Sequence, residues 1–227
     1  MTQNTLNITA RQFRKLTAPV LPMVGTDDTT PVLTGVKIET RGQWLIATAT
    51  DRFRVGVHRL KCPDGGEWPE WSALISGKTI RAILASFKPS RQDADPELTL
   101  TISGESIKVH GGAALLDMNE ASITYPLLGG EFPLVGSLIK EALDAEPDPR
   151  ATAAFNMSSL AKMIPSGETV EVRIASPHKA SLFTFGDDFI GILMPRRTKS
   201  EDGDFRVSED WADILASATP RGKGKAA

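Results

Sequence analysis

The sequence predicts an α+β fold in which one β–α–β–β–β unit is used three times along the chain. The first observation is that short segments alternate apolar and polar residues, as half-buried strands do. The second is that each unit holds one predicted helical segment, which in the first two units follows a residue that can cap a helix. The third is that glycine-containing turns separate the strands. Antiparallel sheets with helices packed on one face are therefore expected.

The first unit begins with a short strand at residues 5–8. Thr9 is a suitable N-cap for a helix over residues 10–18, and Pro19 is expected to end that helix. Three strands complete the unit, over residues 32–40, 44–50 and 53–60.

The second unit repeats this order after a glycine-rich loop. A strand is predicted at residues 71–75, and Ser76 can cap a helix that runs to residue 87. The remaining strands are expected at residues 98–102, 106–110 and about 115–125.

The third unit follows a linker and precedes a polar tail. Its strand is predicted at residues 152–156 and its helix at residues 158–164. Three strands follow, over residues 170–175, 180–185 and 189–194. In the tail, residues 208–216 can form one amphipathic helix with Trp211, Ile214 and Leu215 on one side, whereas residues 221–225 are expected to be disordered.

Composition narrows the class of protein. The chain has 227 residues, 41% of them hydrophobic, which suffices for one or two domains with a real core. The formal net charge is −2, so binding to DNA would require positive charge gathered on one face. Cys62 is the single cysteine, which fits a reducing compartment. No stretch is apolar enough for a signal or a membrane span, and we predict a cytoplasmic protein without a membrane partner.

The helices of the first two units carry bases and no acids. Residues 9–24 and 76–92 hold seven bases and no Asp or Glu, although acids outnumber bases 28 to 26 in the whole chain. Either helix alone would be ordinary solvated surface. The shared absence of acids suits a face turned toward DNA phosphates, whose contacts carry no base information. The predicted DNA-binding residues are Arg11, Arg14, Lys15, Lys78, Arg81, Lys88 and Arg91.

No motif supports catalysis. The histidines His58, His110 and His178 are far apart, and none has metal-ligand spacing with Cys62. The acidic pairs at residues 27–28 and 187–188 lie at predicted turns, where Asp is favoured for backbone reasons. A phosphate-binding loop, a nucleophile elbow and a dinucleotide fingerprint are all missing. We therefore predict no enzymatic activity, no metal and no cofactor.

Three segments in order resemble the bacterial DNA polymerase III β sliding clamp family. They are ATATDRFRVGV at residues 47–57, GEFP at residues 130–133 and ILMPR at residues 192–196. Ala49, Thr50, Asp51 and Arg54 match the strand and turn of the family pattern. Val55 stands at a family leucine, and Arg52 stands at a family glycine.

The resemblance implies a DNA-clamp fold and a processivity factor. Such a protein tracks double-stranded DNA, independently of sequence, and tethers a DNA polymerase or other replication and repair proteins. A clamp loader and homo-oligomerisation are implied as well. In the family, partner peptides dock between the central and last domains. The matching positions are Leu33, Thr50, Arg52, Phe53, Arg54, Val55, Pro133, Leu138, Ile192 and Met194.

These positions have a plainer interpretation too. Leu33, Val55, Ile192 and Met194 also suit an ordinary core. Arg52 and Phe53 would narrow the family's pocket, so the usual partner motif is expected to bind differently.

The resemblance also predicts the domain organisation. Residues 1–130 resemble a complete central domain, 131–150 a linker and 151–197 the second half of the last domain, with residues 198–227 as an additional tail. Family chains have six units where this sequence shows three, and a shortened clamp of this kind would suit a bacteriophage or mobile element.

Two arrangements remain open. One is an oligomer that encircles DNA; the alternative is a non-encircling interaction module that binds clamp partners or the host clamp. The third unit is expected to expose an apolar helix face with Met157, Leu160 and Ile164. Either a second chain or the tail helix would then cover this face.

Overall fold

The computed structural model describes residues 4–87, 95–113, 118–163 and 169–197. The fold is α+β, as predicted, with antiparallel sheets and four α-helices in this part of the chain. None of these helices is both long enough and apolar enough to cross a membrane.

The first two units interlock by exchanging their first strands. The first unit consists of strand β1 (Asn4–Thr9), helix α1 (Ala10–Thr17) and strands β2 (Gly35–Arg41), β3 (Trp44–Thr50) and β4 (Arg54–Lys61). The second consists of strand β5 (Ser72–Ser76), helix α2 (Gly77–Ser86) and strands β6 (Glu97–Ser103), β7 (Ser106–Ala113) and β8 (Met118–Pro126). Strand β1 pairs with β6, and β5 pairs with β2. Neither unit can therefore complete its sheet alone.

The third unit extends one of these sheets. Its elements are helix α4 (Met157–Met163) and strands β9 (Glu171–Arg173), β10 (Ser181–Phe185) and β11 (Phe189–Leu193), with helix α3 (Gly136–Asp144) before them. Strand β11 pairs antiparallel with β4, from Phe189 opposite His58 to Leu193 opposite Arg54. The result is a seven-stranded sheet in the order β5-β2-β3-β4-β11-β10-β9, beside a four-stranded sheet in the order β1-β6-β7-β8.

The main core lies between the two sheets and the helices. Phe13 and Leu16 of α1, together with Ile80 and Ile83 of α2, are fully or almost fully buried in it. Both helices begin at predicted caps. The Thr9 hydroxyl accepts from the Gln12 amide at 3.2 Å, and the Ser76 hydroxyl accepts from the Thr79 amide at 2.9 Å.

Helix α3 packs on the opposite face of the seven-stranded sheet. Its Ile139 and Ala142 form a smaller apolar cluster with Val55, Leu182 and Ile192. Alternate residues of a strand point to opposite faces, so Val55 faces α3 whereas Gly56, which lies against Met23, faces the main core. The sheet thus has α1 and the main core on one side and α3 on the other.

Most predicted elements are present, with four differences. Residues 32–34, the predicted start of a strand, belong to a 3-10 helix (Pro31–Thr34), in which the Leu33 amide donates to the Thr30 carbonyl at 3.0 Å and not to a neighbouring strand. The predicted linker contains α3. The predicted strand at 152–156 is absent. Asn156 instead caps α4, and the backbone bond from the Arg196 amide to the Ala154 carbonyl, at 2.7 Å, does not by itself form a strand ladder. Strand β9 has only three residues.

The apolar face of the third unit is covered differently from the prediction. Met163 of α4 is fully buried, Leu160 packs against the main core, and Met157 is 75% exposed. Ile164 lies outside the described residues. The main core therefore covers Leu160 and Met163, whereas Met157 stays exposed, as predicted.

The burial of Met163 gives a test of this packing. We expect Met163→Ala to lower the free energy of unfolding by about 2–5 kcal/mol, because the smaller side chain leaves a cavity. The matched control is Met157→Ala at the 75% exposed position of the same helix, which should stay within about 0.5 kcal/mol of the parent. Urea unfolding followed by circular dichroism measures both, and equal effects would contradict the packing of α4 on the core.

Candidate functional site

The turn between β3 and β4 is held by Asp51. Its carboxylate accepts from the backbone amides of Phe53, at 3.1 Å, and Arg54, at 2.9 Å. It also accepts from Nε of Arg54 at 2.9 Å and forms an ion pair with that guanidinium. The Thr50 hydroxyl donates to the Arg54 carbonyl at 2.7 Å. Because Arg54 is buried, this network fixes the turn and leaves Arg54 little freedom to reach a ligand.

An apolar groove lies where this turn meets α3 and the end of β11. We call it the junction groove; its volume is about 260 Å³. Three of its side chains are large, apolar and exposed: Phe53 at 66%, Leu138 at 51% and Met194 at 42%. The other lining residues are Arg52, Val55, Glu141, Ala142, Ala145, His178, Lys179, Ala180 and Ile192.

A second depression adjoins the junction groove across Phe53. We call it the turn groove; its volume is about 280 Å³. Its lining residues are Val24, Gly25, Thr26, Asp27, Leu33, Asp51, Arg52, Phe53, Arg54 and Lys162. Arg52 and Phe53 belong to both grooves, so the two form one continuous surface with an exposed aromatic ring between them.

The structure gathers most of the predicted peptide-binding residues here. The junction groove contains Arg52, Phe53, Val55, Leu138, Ile192 and Met194, and the turn groove adds Leu33 and Arg54. Thr50 is buried beneath the turn. Pro133 is the exception, because it lines a third groove on the other side of α3.

In one wall of the junction groove, sequence reasoning identified only Leu138 and missed the other residues. That wall is formed by Leu138, Glu141, Ala142 and Ala145, which lie on one side of α3 and its C-cap. The spacing of these residues, with intervals of three and four, is the signal of a helix face. The surrounding linker composition concealed it.

The predicted DNA-binding residues of α1 and α2 are exposed, and α1 contacts α2. Arg14 donates to the Leu84 carbonyl at 3.1 Å, which links the two helices. Lys78 and Arg81 are exposed on α2. Lys88 and Arg91 lie outside the described residues.

Acids from neighbouring segments reach two of the bases on α1. Arg11 lies 3.9 Å from Asp95, and Lys15 lies 3.5 Å from Asp188 in the turn before β11. Asp188 also lies 3.6 Å from Arg59 of β4. The acidic pair at residues 187–188, predicted to serve a turn, thus also ties the third unit to the first. Among the described residues of α1 and α2, the bases left without such acids are Arg14, Lys78 and Arg81.

A family model described as "DNA polymerase III beta subunit, central domain" matches residues 7–134, which is more than half of the chain. The chain belongs to this family. The matched region comprises the two interlocked units and ends at the beginning of the segment that leads to α3.

Curated relatives of this family match this chain over only part of their own length. The "Beta sliding clamp" of Micrococcus luteus is 27% identical over 130 residues, covering 57% of this chain and 39% of the relative. The "Beta sliding clamp" of Streptomyces coelicolor is 30% identical over 137 residues, covering 59% and 34%. The chain therefore spans between a third and two fifths of the length of these two relatives.

Solved structures show the same fold over a longer stretch. The β subunit of the DNA polymerase of Streptococcus pyogenes superposes with a TM-score of 0.66 at 18% identity, covering 87% of this chain and 67% of that one. The β subunit of DNA polymerase III from Thermotoga maritima gives a TM-score of 0.64 at 14% identity, covering 86% and 65%. The likeness extends beyond the matched central domain into the third unit.

Arg52, one departure from the family pattern, has an unusual backbone conformation. Arg52 stands where the family pattern has glycine, and its φ of +78° lies in the left-handed region that favours glycine. The Arg52 amide donates to the Thr50 hydroxyl at 3.3 Å, and its guanidinium donates to the Thr30 hydroxyl. These bonds hold a conformation that an arginine would otherwise avoid, and they direct its side chain along the groove wall.

His58 is a buried histidine at the joint between β4 and β11. Burial lowers its pKa to about 4; the carboxylate of Asp188 opposes this shift, and the Lys15 ammonium adds to it. Its Nδ1 atom has no hydrogen-bond partner among the described residues. In this part of the chain no three His, Cys, Asp or Glu side chains gather as metal ligands would. His58 is therefore a packing residue of the core.

The pKa of His58 makes stability depend on pH. The unfolded chain binds a proton near pH 6.5 and the folded chain only near pH 4, so the stabilising contribution is present above pH 6.5 and lost as pH falls toward 4. We expect His58→Gln to show a smaller drop in melting temperature between pH 7 and pH 4.5 than the parent. The control is His110→Gln, at an exposed strand position. An unchanged drop in His58→Gln would contradict this account.

Proposed function

We propose that the chain is a clamp-type processivity factor without catalytic activity. It would track duplex DNA along α1 and α2 and tether a DNA polymerase, or another replication or repair protein, through a peptide bound in the junction and turn grooves. The observation that carries this proposal is the separation of the two surfaces by one sheet. The basic helices lie on the main-core side, and the junction groove lies on the α3 side.

The chemistry of the junction groove supports a peptide ligand. Its floor is aliphatic, with Val55 and Ile192 in adjacent strands, and its rim carries exposed Phe53, Leu138 and Met194. Arg52 and Lys179 add positive charge at the edge, although Lys179 lies 3.8 Å from Glu141. Apolar side chains entering such a groove would gain burial, while the charged rim would orient the peptide.

The helix face supports contact with phosphates. Arg14, Lys78 and Arg81 are exposed, and α1 and α2 contain no acids. Arg11 and Lys15 would contribute less, because Asp95 and Asp188 already offset their charge. Contacts of this kind depend on salt and not on base sequence, which suits a protein that slides.

We also propose the predicted domain organisation, with a complete domain at residues 1–130 and half a domain at residues 151–197. Strand β4 is flanked by β3 and β11, so it is not available to a second chain. Strands β8 and β9 each pair with one described strand and would offer their other edges for self-association. A homo-oligomer closed through these edges would be the form that a clamp loader opens.

The second candidate is the non-encircling interaction module, and the same edges favour it. Strand β9 has three residues, which all lie exposed and include Glu171 and Arg173. Such a short, charged edge resists the addition of another strand. Light scattering over a range of concentrations separates the candidates, because only the encircling clamp requires a stable oligomer.

The peptide proposal predicts the effect of trimming the groove rim. A short peptide with an apolar C-terminal end should bind with a Kd of about 1 μM, which corresponds to a binding free energy of about −8 kcal/mol. Leu138→Ala and Met194→Ala should each weaken it about tenfold with little change in melting temperature, since both side chains are partly exposed. The control is Leu134→Ala, 87% exposed and outside the junction groove. Calorimetry measures affinity, and equal binding by all variants would reject this site.

The DNA proposal predicts a change in salt dependence. Reversing Arg14, Lys78 and Arg81 to Glu should weaken binding to duplex DNA and lower the log–log salt slope by about 0.9 for each phosphate that the variant no longer neutralises. The matched control reverses Lys61, Lys108 and Lys140, three exposed lysines of β4, β7 and α3. Fluorescence anisotropy on labelled duplex measures both slopes, and a triple variant that keeps the parent's slope would show that these helices do not face DNA.

A further inference from the structure

A third groove lies on the opposite side of α3 from the junction groove. We call it the linker groove; it runs between residues 132–137 and the outer face of strands β2 to β4, with a volume of about 640 Å³. Ile46, Val57, Ile139 and Ile190 form its apolar lining. Leu134, 87% exposed, and Leu143, 46% exposed, stand at its rim. This apolar surface is separate from the proposed peptide site.

The sheet face beside the linker groove is basic. The register aligns Lys37 with Thr48 and Val57 in one row, and Arg41 with Trp44 and Lys61 in another. Paired residues of adjacent strands share a face, so these side chains project on the groove side. Glu39, Ile46 and Arg59 lie in the row between them.

The cations of this face are only partly offset by acids. Arg41 lies 2.5 Å from Glu39, and Arg59 lies 3.6 Å from Asp188 and over the Trp44 ring at 4.2 Å. Lys140, on α3, lies 2.5 Å from Asp144. Within the described part of the chain, Lys37 and Lys61 have no acid in ion-pair range. A ligand for this face should therefore combine apolar side chains with negative charge.

We propose that residues 201–215 of this same chain dock in the linker groove. This segment holds six acids and one base, a net charge of −5, in a chain whose total is −2. It also holds five large apolar residues, Phe205, Val207, Trp211, Ile214 and Leu215. Trp211, Ile214 and Leu215 have helical spacing, so one face of the segment can enter the groove while Asp210 and Asp213 remain at the basic rim.

The point where the described chain ends makes this docking feasible. Ile190 lines the linker groove, and Met194, four residues later, lines the junction groove. The chain therefore leaves β11 about 13 Å from the linker groove, measured along the strand. Residues 195–200 span about 20 Å when extended, which is enough to cover that distance. A short tether also keeps the segment at an effective concentration of about millimolar, so even weak contacts hold it in place.

Hydrogen exchange on the full-length protein tests the proposal. Amides of residues 201–215 should exchange at least about tenfold more slowly than an unstructured chain, a ratio that reports a segment docked about nine tenths of the time. Lys37→Glu combined with Lys61→Glu should abolish this protection, as should about 0.5 M salt. Lys78→Glu combined with Lys108→Glu, an equal charge change elsewhere, should leave it intact.

Three further variants make the result specific. Asp210→Lys combined with Asp213→Lys should remove the protection without touching the folded domain, and joining these changes to the Lys37 and Lys61 reversals should restore it. Trp211→Ala should also abolish it. The proposal is overturned if residues 201–215 exchange freely in the parent, if the control pair removes protection as well, or if protection falls on dilution, which would assign the groove to a second copy's tail. None of these outcomes alters peptide binding in the junction groove, so the two proposals fail separately.

Discussion

The ladder between β4 and β11 is the interaction on which the rest of the structure depends. It converts a four-stranded sheet of interlocked units into a seven-stranded sheet that includes the third unit. It brings Val55 beside Ile192 and so creates the floor of the junction groove. It also places Asp188 within reach of Lys15 and Arg59, which ties the loop before β11 to α1 and β4. Without this pairing the third unit would have three strands and one helix, too little to bury its own apolar residues.

The two-residue period of the strands places the two proposed binding surfaces on opposite faces of the sheet. Along β4, Val55 and Val57 turn toward α3, whereas Gly56 and His58 turn toward the main core. The main-core side carries α1 and α2 with their bases, and the α3 side carries the apolar grooves. A peptide on one face and a duplex on the other would not compete for space.

The fold was largely predictable because its signals are local. Thr9 and Ser76 cap helices, and the strand at residues 44–50 has the predicted bounds, since alternation and turn residues act over a few positions. Helix α3 was missed because its apolar residues pack on a sheet face that only the distant β11 completes. The burial of Arg54 against Asp51 was missed for a similar reason, since an arginine in a resembling motif suggests a ligand contact and not a structural ion pair. The acids that meet Arg11 and Lys15 come from residues 95 and 188, a proximity that the helix sequences do not contain.

The ladder also has a consequence for the order in which the protein becomes functional. It joins residues more than 130 positions apart, as His58 and Phe189 show, so it closes the largest loop of the sheet. During synthesis the first two units can exchange and pair their first strands while β11 is still untranslated. The junction groove exists only after Met194 has been made and β11 has paired. A nascent or truncated chain would therefore present the basic helices before it could recruit any protein through this groove.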